Sequence, residues 1–133
     1  MPETPLLTIP SQLEKLDDVQ NFTEGLKDWA NLDEDTLAGV SLAVSEAATN
    51  AIKHGNKEDE QKKVTIQATL TGNELRIHVE DEGEGFDPAG LPDPLAEENL
   101  LKPSGRGVYL MKQYCDAVKY SDKGNQVTLF FKL

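Results

Sequence analysis

Three clusters in this chain carry residue types that handle phosphates and hard cations. Glu46 and Asn50 stand four residues apart within the run GVSLAVSEAATNAI, residues 39–52. On a helix, residues i and i+4 are neighbours. A carboxylate beside an amide oxygen suits a general base next to a hard cation. The second cluster is Asp81-x-Gly83-x-Gly85. Its glycines permit close backbone approach and positive φ, and a carboxylate at a strand end can accept from an exocyclic amine such as adenine N6. The third is Ser104-Gly105-Arg106-Gly107 at the head of a helical pattern. Bare N–H groups and the positive end of the helix dipole make an anion site there, and Arg106 adds forked donors. Neither G-x-x-x-x-G-K-[ST] nor G-x-G-x-x-G occurs, so this phosphate cradle differs from the P-loop. Each cluster alone also has a plain reading: a buried Glu bonded to the scaffold, a Gly-rich turn with a capping Asp, a Gly-led helix start with a surface Arg.

The elements that must hold these groups follow from periodicity. Residues 39–52 are rich in Ala and Leu and lack Pro, which favours helix. Leu37, Val40, Val44, Ala48, Ala51 and Ile52 form one apolar stripe at the helical period. The other side carries Gly39, Leu42, Ala43, Glu46 and Asn50, too apolar for a wet face. Glu46 is therefore expected in a partly desolvated place, which a chain tolerates for a partner or a function. Asp33 is placed to cap this helix, with Glu34 and Asp35 at its positive end. Lys53 and His54 fall in its last turn, and Gly55 suits a left-handed C′ position.

Ahead of it, residues 4–9 suit an edge strand loosened by Pro2 and Pro5. Ser11 and Glu14 read as a capping box. Leu13, Leu16, Phe22, Leu26 and Trp29 then give a helix through residue 30 with those side chains in the core. Residues 64–70 and 75–79 alternate as a hairpin around the turn at 71–74. Residues 82–104, with Gly83, Gly85, Gly90 and four prolines, fit neither helix nor strand for most of their length; such a long irregular loop is usually functional. Val108, Met111, Cys115 and Val118 imply a third helix with Cys115 in the core, followed by strands at 117–121 and 126–133. The order β-α-α-β-β-loop-α-β-β predicts one α+β domain over residues 1–133. Its architecture is a two-layer α/β sandwich, a mostly antiparallel sheet with three helices on one face.

Composition narrows the function. The chain has 133 residues, 28% charged, with formal net charge −11. That argues against a nucleic-acid surface, which would be basic, and against anionic membranes. It leaves room for a basic protein partner. A single cysteine excludes an internal disulfide. No apolar run is long enough for a signal peptide or a membrane span, and a cytoplasmic protein is the simplest expectation.

Glu46-x-x-x-Asn50-x-x-Lys53-His54-Gly55, then Asp81-Glu82-Gly83-Glu84-Gly85-Phe86-Asp87, then Ser104-Gly105-Arg106-Gly107 stand in one order. In that order they resemble the GHKL ATPases, the ATP-binding domains of gyrase, histidine kinases and MutL with their Bergerat fold. Within them the chain is most similar to the small bacterial anti-sigma factor serine kinases, over nearly its whole length. The resemblance implies Glu46 as general base and Asn50 as Mg²⁺ ligand. It implies Asp81 as the adenine-reading aspartate, with Gly83 and Gly85 shaping that pocket. Gly105, Arg106 and Gly107 would meet the ATP phosphates, Thr128 would lie near adenine, and residues 87–104 would form a mobile lid. His54 is not expected to accept phosphate, since it sits inside the nucleotide motif. The function implied is an ATP-dependent serine-protein kinase that phosphorylates a STAS-type anti-anti-sigma protein and sequesters a sigma factor, as a homodimer. The alternative is a nucleotide-gated binding switch of the same fold without phosphotransfer.

Overall fold

The computed structural model describes residues 4–83, 114–121 and 125–133. Among the described residues five strands form one sheet in the order β1-β2-β3-β5-β4, every neighbour antiparallel. They are β1 Leu6–Pro10, β2 Lys63–Thr71, β3 Glu74–Glu80, β4 Ala117–Tyr120 and β5 Gln126–Lys132. Among the described residues there are two α-helices, α1 Leu16–Ala30 and α2 Glu34–Asn50. The third helix expected from Gly105 onward falls almost wholly outside the described residues, as does the lid expected over 87–104. The architecture is α+β.

Period-two alternation builds the sheet's inner face. Val64, Ile66 and Ala68 of β2, Leu75, Ile77 and Val79 of β3, and Val127, Leu129 and Phe131 of β5 are all buried in one core with α1 and α2. Their alternates, such as Thr65, Arg76, His78 and Thr128, stand half-exposed on the other face, as expected of an antiparallel sheet covered on one side. Gly72 and Asn73 link β2 to β3, with Thr71 paired to Glu74. Gly72 has φ +60°, the geometry a Gly-first two-residue hairpin turn requires.

Helix α2 lies against this face through Val40, Ala43, Val44, Ala47 and Ala48, all nearly or fully buried, and Ile52 extends the contact past its end. Burying a Val or Ile side chain is worth about 1.5–3 kcal/mol, so this stripe fixes how the helix is rotated on the sheet. Asp33 caps α2 as expected, its side chain accepting from the Thr36 N–H at 2.7 Å. Asn31, in the left-handed conformation at φ 54°, ends α1. Helix α1 packs on α2 through the buried Val19, Thr23 and Leu26, where the Ser41 hydroxyl donates to Thr23 Oγ1 at 3.3 Å.

The start of α1 corrects the sequence reading. Ser11 caps no helix. It is buried, and its hydroxyl donates to the Lys62 carbonyl at 2.7 Å, on the loop before β2. A short 3₁₀ turn, Leu13–Lys15, comes first, with Gln12 ahead of it and no side-chain cap. That turn leaves Leu13 36% exposed, outside the core assigned to it. Leu26 is fully buried, and Leu16, Phe22 and Trp29 pack partly buried against the core. Cys115 also packs against it, and burial, with the Asp116 charge beside it, pushes its thiol up to about 12.

Candidate functional site

Glu46 and Asn50 sit one turn apart on α2, both half-buried, on the side facing away from the Val40–Val44–Ala48 stripe. The helix cannot hide these two side chains in the core without turning that stripe to water. Neither has a hydrogen-bond partner among the described residues. A half-buried carboxylate and an amide therefore share one face, a donor set that fits a base and one oxygen ligand of Mg²⁺. Magnesium takes few protein oxygens and completes its shell with water and phosphate.

Beyond Asn50 the helix widens. Ala51–Gly55 forms a π-helical turn, closed by the Asn56 N–H donating to the Ala51 carbonyl at 2.8 Å. Such widened turns occur mostly as single-turn bulges, often at functional sites. Lys53 and His54 point outward and Gly55 is buried. Gly55 is not the left-handed C′ residue expected of it. The positive-φ positions fall at Lys57 and Glu58, where the Glu58 N–H reaches the Ile52 carbonyl at 2.7 Å.

Gly55 is glycine for a different reason: a Cβ there would lie 2.2 Å from Asp81 Oδ2. The same holds across the gap, because a Cβ on Gly83 would lie 1.9 Å from the Gly55 carbonyl oxygen. The end of the widened helix and the turn after β3 thus meet backbone to backbone, with the Asp81 carboxylate between them. Asp81 is 5% exposed. Its Oδ1 accepts from the Gly83 N–H at 2.8 Å, and its own N–H donates to the Asn125 carbonyl at 2.9 Å, just before β5. Burial pushes the Asp81 carboxyl above the usual carboxylate range. The Gly83 N–H pulls it back, Glu80 raises it further and Lys62 opposes that.

Asn56, Asn125 and Gly55 were not singled out from sequence in these roles. Asn56 is 1% exposed and bonds on every polar group of its side chain. Nδ2 donates to Ser11 Oγ at 2.7 Å and to the Lys63 carbonyl at 3.0 Å, and Oδ1 accepts from the Glu82 N–H at 2.8 Å. In sequence it is merely the first residue of a polar loop; no periodicity marks a buried amide.

Thr128 is not brought to this cluster. Its neighbours Val127 and Leu129 face the core, so it lies on the opposite side of the sheet, where its hydroxyl sits 2.9 Å from His78 Nδ1. β5 does reach Asp81, but through Asn125 at its head. Gly85, Gly105, Arg106 and Gly107 lie outside the described residues.

Residues 9–131 match the histidine kinase-like ATPase domain family. The chain is 30% identical to the serine-protein kinase RsbW of Bacillus subtilis over 119 residues, covering 85% of this chain and 74% of that one. It is 37% identical to an anti-sigma F factor of Clostridium perfringens over 99 residues, 72% of this chain and 71% of that one. The fold is similar to the crystal structure of the RsbU and RsbW domains of Rv1364c from Mycobacterium tuberculosis, with TM-score 0.68 and 18% identity over 98% of this chain. The chain spans about a third of that structure's length, 33%. The matched span takes in Glu46, Asn50 and the Asp81 turn, and the chain belongs to the histidine kinase-like ATPase domain family, in the branch that holds the RsbW kinases and anti-sigma F factors.

Proposed function

We propose that this protein is an ATP-dependent serine-protein kinase that acts as an anti-sigma regulatory factor. The observation that carries the reading is the pairing of Glu46 with Asn50 on the half-buried side of α2, whose widened end closes on Asp81. The names of the relatives, a serine-protein kinase and an anti-sigma F factor, support the activity. Asp81 would select adenine by accepting from its amino group. Asn50 would supply the protein oxygen to the Mg²⁺ that accompanies ATP, and that ion neutralises phosphate charge when bound. Phosphoryl transfer depends mainly on positioning and charge stabilisation. Glu46 would orient a substrate serine hydroxyl and take its proton, a general-base contribution of about 10²–10⁴-fold. Gly105, Arg106 and Gly107 are assigned to the phosphates and residues 87–104 to the lid, both by resemblance. The same resemblance gives the partners: a STAS-type antagonist as substrate, a sigma factor as client, and a second copy of the chain in a homodimer, which sedimentation would measure.

The test is purified protein with labelled ATP, Mg²⁺ and the candidate antagonist. Phosphoserine should form, and Glu46→Gln should lose transfer by about 10²–10⁴-fold while keeping ATP affinity. Undiminished transfer by Glu46→Gln removes the base assignment. ATP binding with no transfer by the wild type would favour the nucleotide-gated switch.

A further inference from the structure

We infer that Asn56 is a positioning residue for nucleotide selection: its side-chain amide sets Asp81 against the end of the Glu46–Asn50 helix. The inference rests on Asp81 being the adenine-reading carboxylate. Four segments meet at this one residue. Its backbone N–H closes the widened turn on Ala51, and its side chain reaches Ser11 between β1 and α1, Lys63 at the head of β2 and Glu82 just past Asp81.

The orientation of the amide is fixed by its surroundings. The Ser11 hydroxyl gives its proton to the Lys62 carbonyl, so towards Asn56 it can only accept. The atom facing it must then be Nδ2, which also donates to the Lys63 carbonyl. Oδ1 is left for the Glu82 N–H. Two donors and one acceptor in these directions match an amide and no other side chain of this size. An unmade hydrogen bond at a buried group is costly, so the Asp81–Glu82–Gly83 backbone is held at one distance from residues 55 and 56.

That distance matters because the tolerance is small. Gly55 and Asp81 touch with no room for a methyl group, and Gly83 closes on the Gly55 carbonyl. Asn56 and Glu82 are the residues next to that contact on either side. Asp81 Oδ1 is occupied by the Gly83 N–H, so recognition of an amine falls to the lone pairs that remain, whose direction is set by the backbone of residues 81–83. Asn56→Ala frees the Glu82 N–H and leaves only the Glu82 carboxylate, which accepts from the Lys63 N–H at 2.6 Å, to tie this residue down. A side-chain tether does not fix the backbone, which drifts and carries the Asp81 carboxylate with it. Neither Glu46 nor Asn50 is bonded to Asn56, so the chemistry of the base is left in place.

The experiment is calorimetric titration of the wild type, Asn56→Ala and Ser11→Ala with ATP and with inosine triphosphate, in Mg²⁺. Inosine carries a carbonyl where adenine carries its amine, so the ratio of the two affinities reads where the Asp81 carboxylate points. The wild type should prefer ATP. Asn56→Ala should weaken ATP binding about tenfold, the worth of one charge-assisted hydrogen bond misplaced, with little change for the inosine nucleotide, so the ratio falls towards one. Ser11→Ala removes a partner of Nδ2 and leaves Oδ1 on Glu82; it should lower the melting temperature and keep the ratio. A ratio in Asn56→Ala equal to the wild type's overturns the inference and leaves the nucleotide reading standing. A ratio that falls equally in Ser11→Ala assigns the effect to general loosening and also overturns it. A wild type that binds neither nucleotide overturns both readings. Should Asn56→Ala fail to fold by circular dichroism, Asn56→Ser, which refills part of the volume without reaching Glu82, is read by the same outcomes.

Discussion

The Asp81 carboxylate rests directly on the backbone of Gly55, so closely that a Cβ on Gly55 would lie 2.2 Å from Oδ2. The helix that carries Glu46 and the turn after β3 are thereby built as one unit. Gly55→Ala must push the carboxylate off the Gly83 N–H, whereas Gly83→Ala meets backbone, the Gly55 carbonyl at 1.9 Å. A side chain can rotate where a backbone cannot, so Gly83→Ala should cost more stability than Gly55→Ala, about 1–3 kcal/mol for overpacking a tight site. Both should weaken ATP binding. Thermal melts with calorimetry check this; full ATP affinity in Gly55→Ala would mean that the contact does not place Asp81.

Asp81→Asn separates the adenine-reading role proposed for Asp81 from its part in the fold. Burial raises the folded carboxyl above its ordinary value of 3.8. For a carboxylic acid raised in the folded state, the folded protein holds its proton more tightly than the unfolded chain. The stability from Asp81 is thus complete below pH 3.8 and is lost as pH rises through the folded value. An amide keeps an oxygen for the Gly83 N–H and does not ionise. The melting temperature of Asp81→Asn should therefore gain on the wild type as pH rises from below 3.8, and then run parallel to it. ATP affinity should fall, because the amide offers a donor where adenine's amine needs an acceptor. Parallel melting curves across the acid range would show that Asp81 titrates normally in the fold.

Much of this scaffold was legible because burial imposes a period. The Val64–Ile66–Ala68 alternation, the Val40–Val44–Ala48 stripe and the Asp33 cap follow from local rules, and the fold obeys them. The pairing of Glu46 with Asn50 was legible for the same reason, being a spacing on a helix. What the sequence hid was tertiary. Ser11 has the look of a helix cap, yet a long-range bond to Lys62 outcompetes the local one. Gly55 has the look of a left-handed stop, yet it is small because Asp81 packs on it. Asn56 follows no pattern at all, since its partners lie 45, 7 and 26 residues away.

Ser11 and Glu14 give a direct comparison of the local and tertiary readings. In a capping box, removing either side chain would loosen the helix. Among the described residues only Ser11 is engaged, buried between the Lys62 carbonyl and Asn56 Nδ2. Ser11→Ala leaves both without their hydroxyl partner and should cost about 1–3 kcal/mol. Glu14→Ala, at an exposed position, should stay within about 0.5 kcal/mol of the wild type. Urea melts of the two variants decide it; equal losses would restore the capping box.

Thr128 and His78 face each other across β5 and β3 on the sheet surface away from the helices, 2.9 Å apart. Thr128→Val keeps the β-branched shape and removes the hydroxyl, so the strand should hold. The loss should be about 0.5–1.5 kcal/mol, the net worth of one hydrogen bond. ATP affinity should be unchanged, because the side chain lies across the sheet from Asp81. His78 sits below its ordinary value of 6.5, first through burial and then through the Arg76 charge. Its stability contribution is therefore complete above pH 6.5 and is lost as pH falls through the folded value. Neither cause involves the Thr128 hydroxyl, so this acid-side loss should persist in Thr128→Val and disappear in His78→Phe. Melting curves between pH 5 and 8 read the stability effect, and a fall in ATP affinity in Thr128→Val would return Thr128 to the nucleotide site.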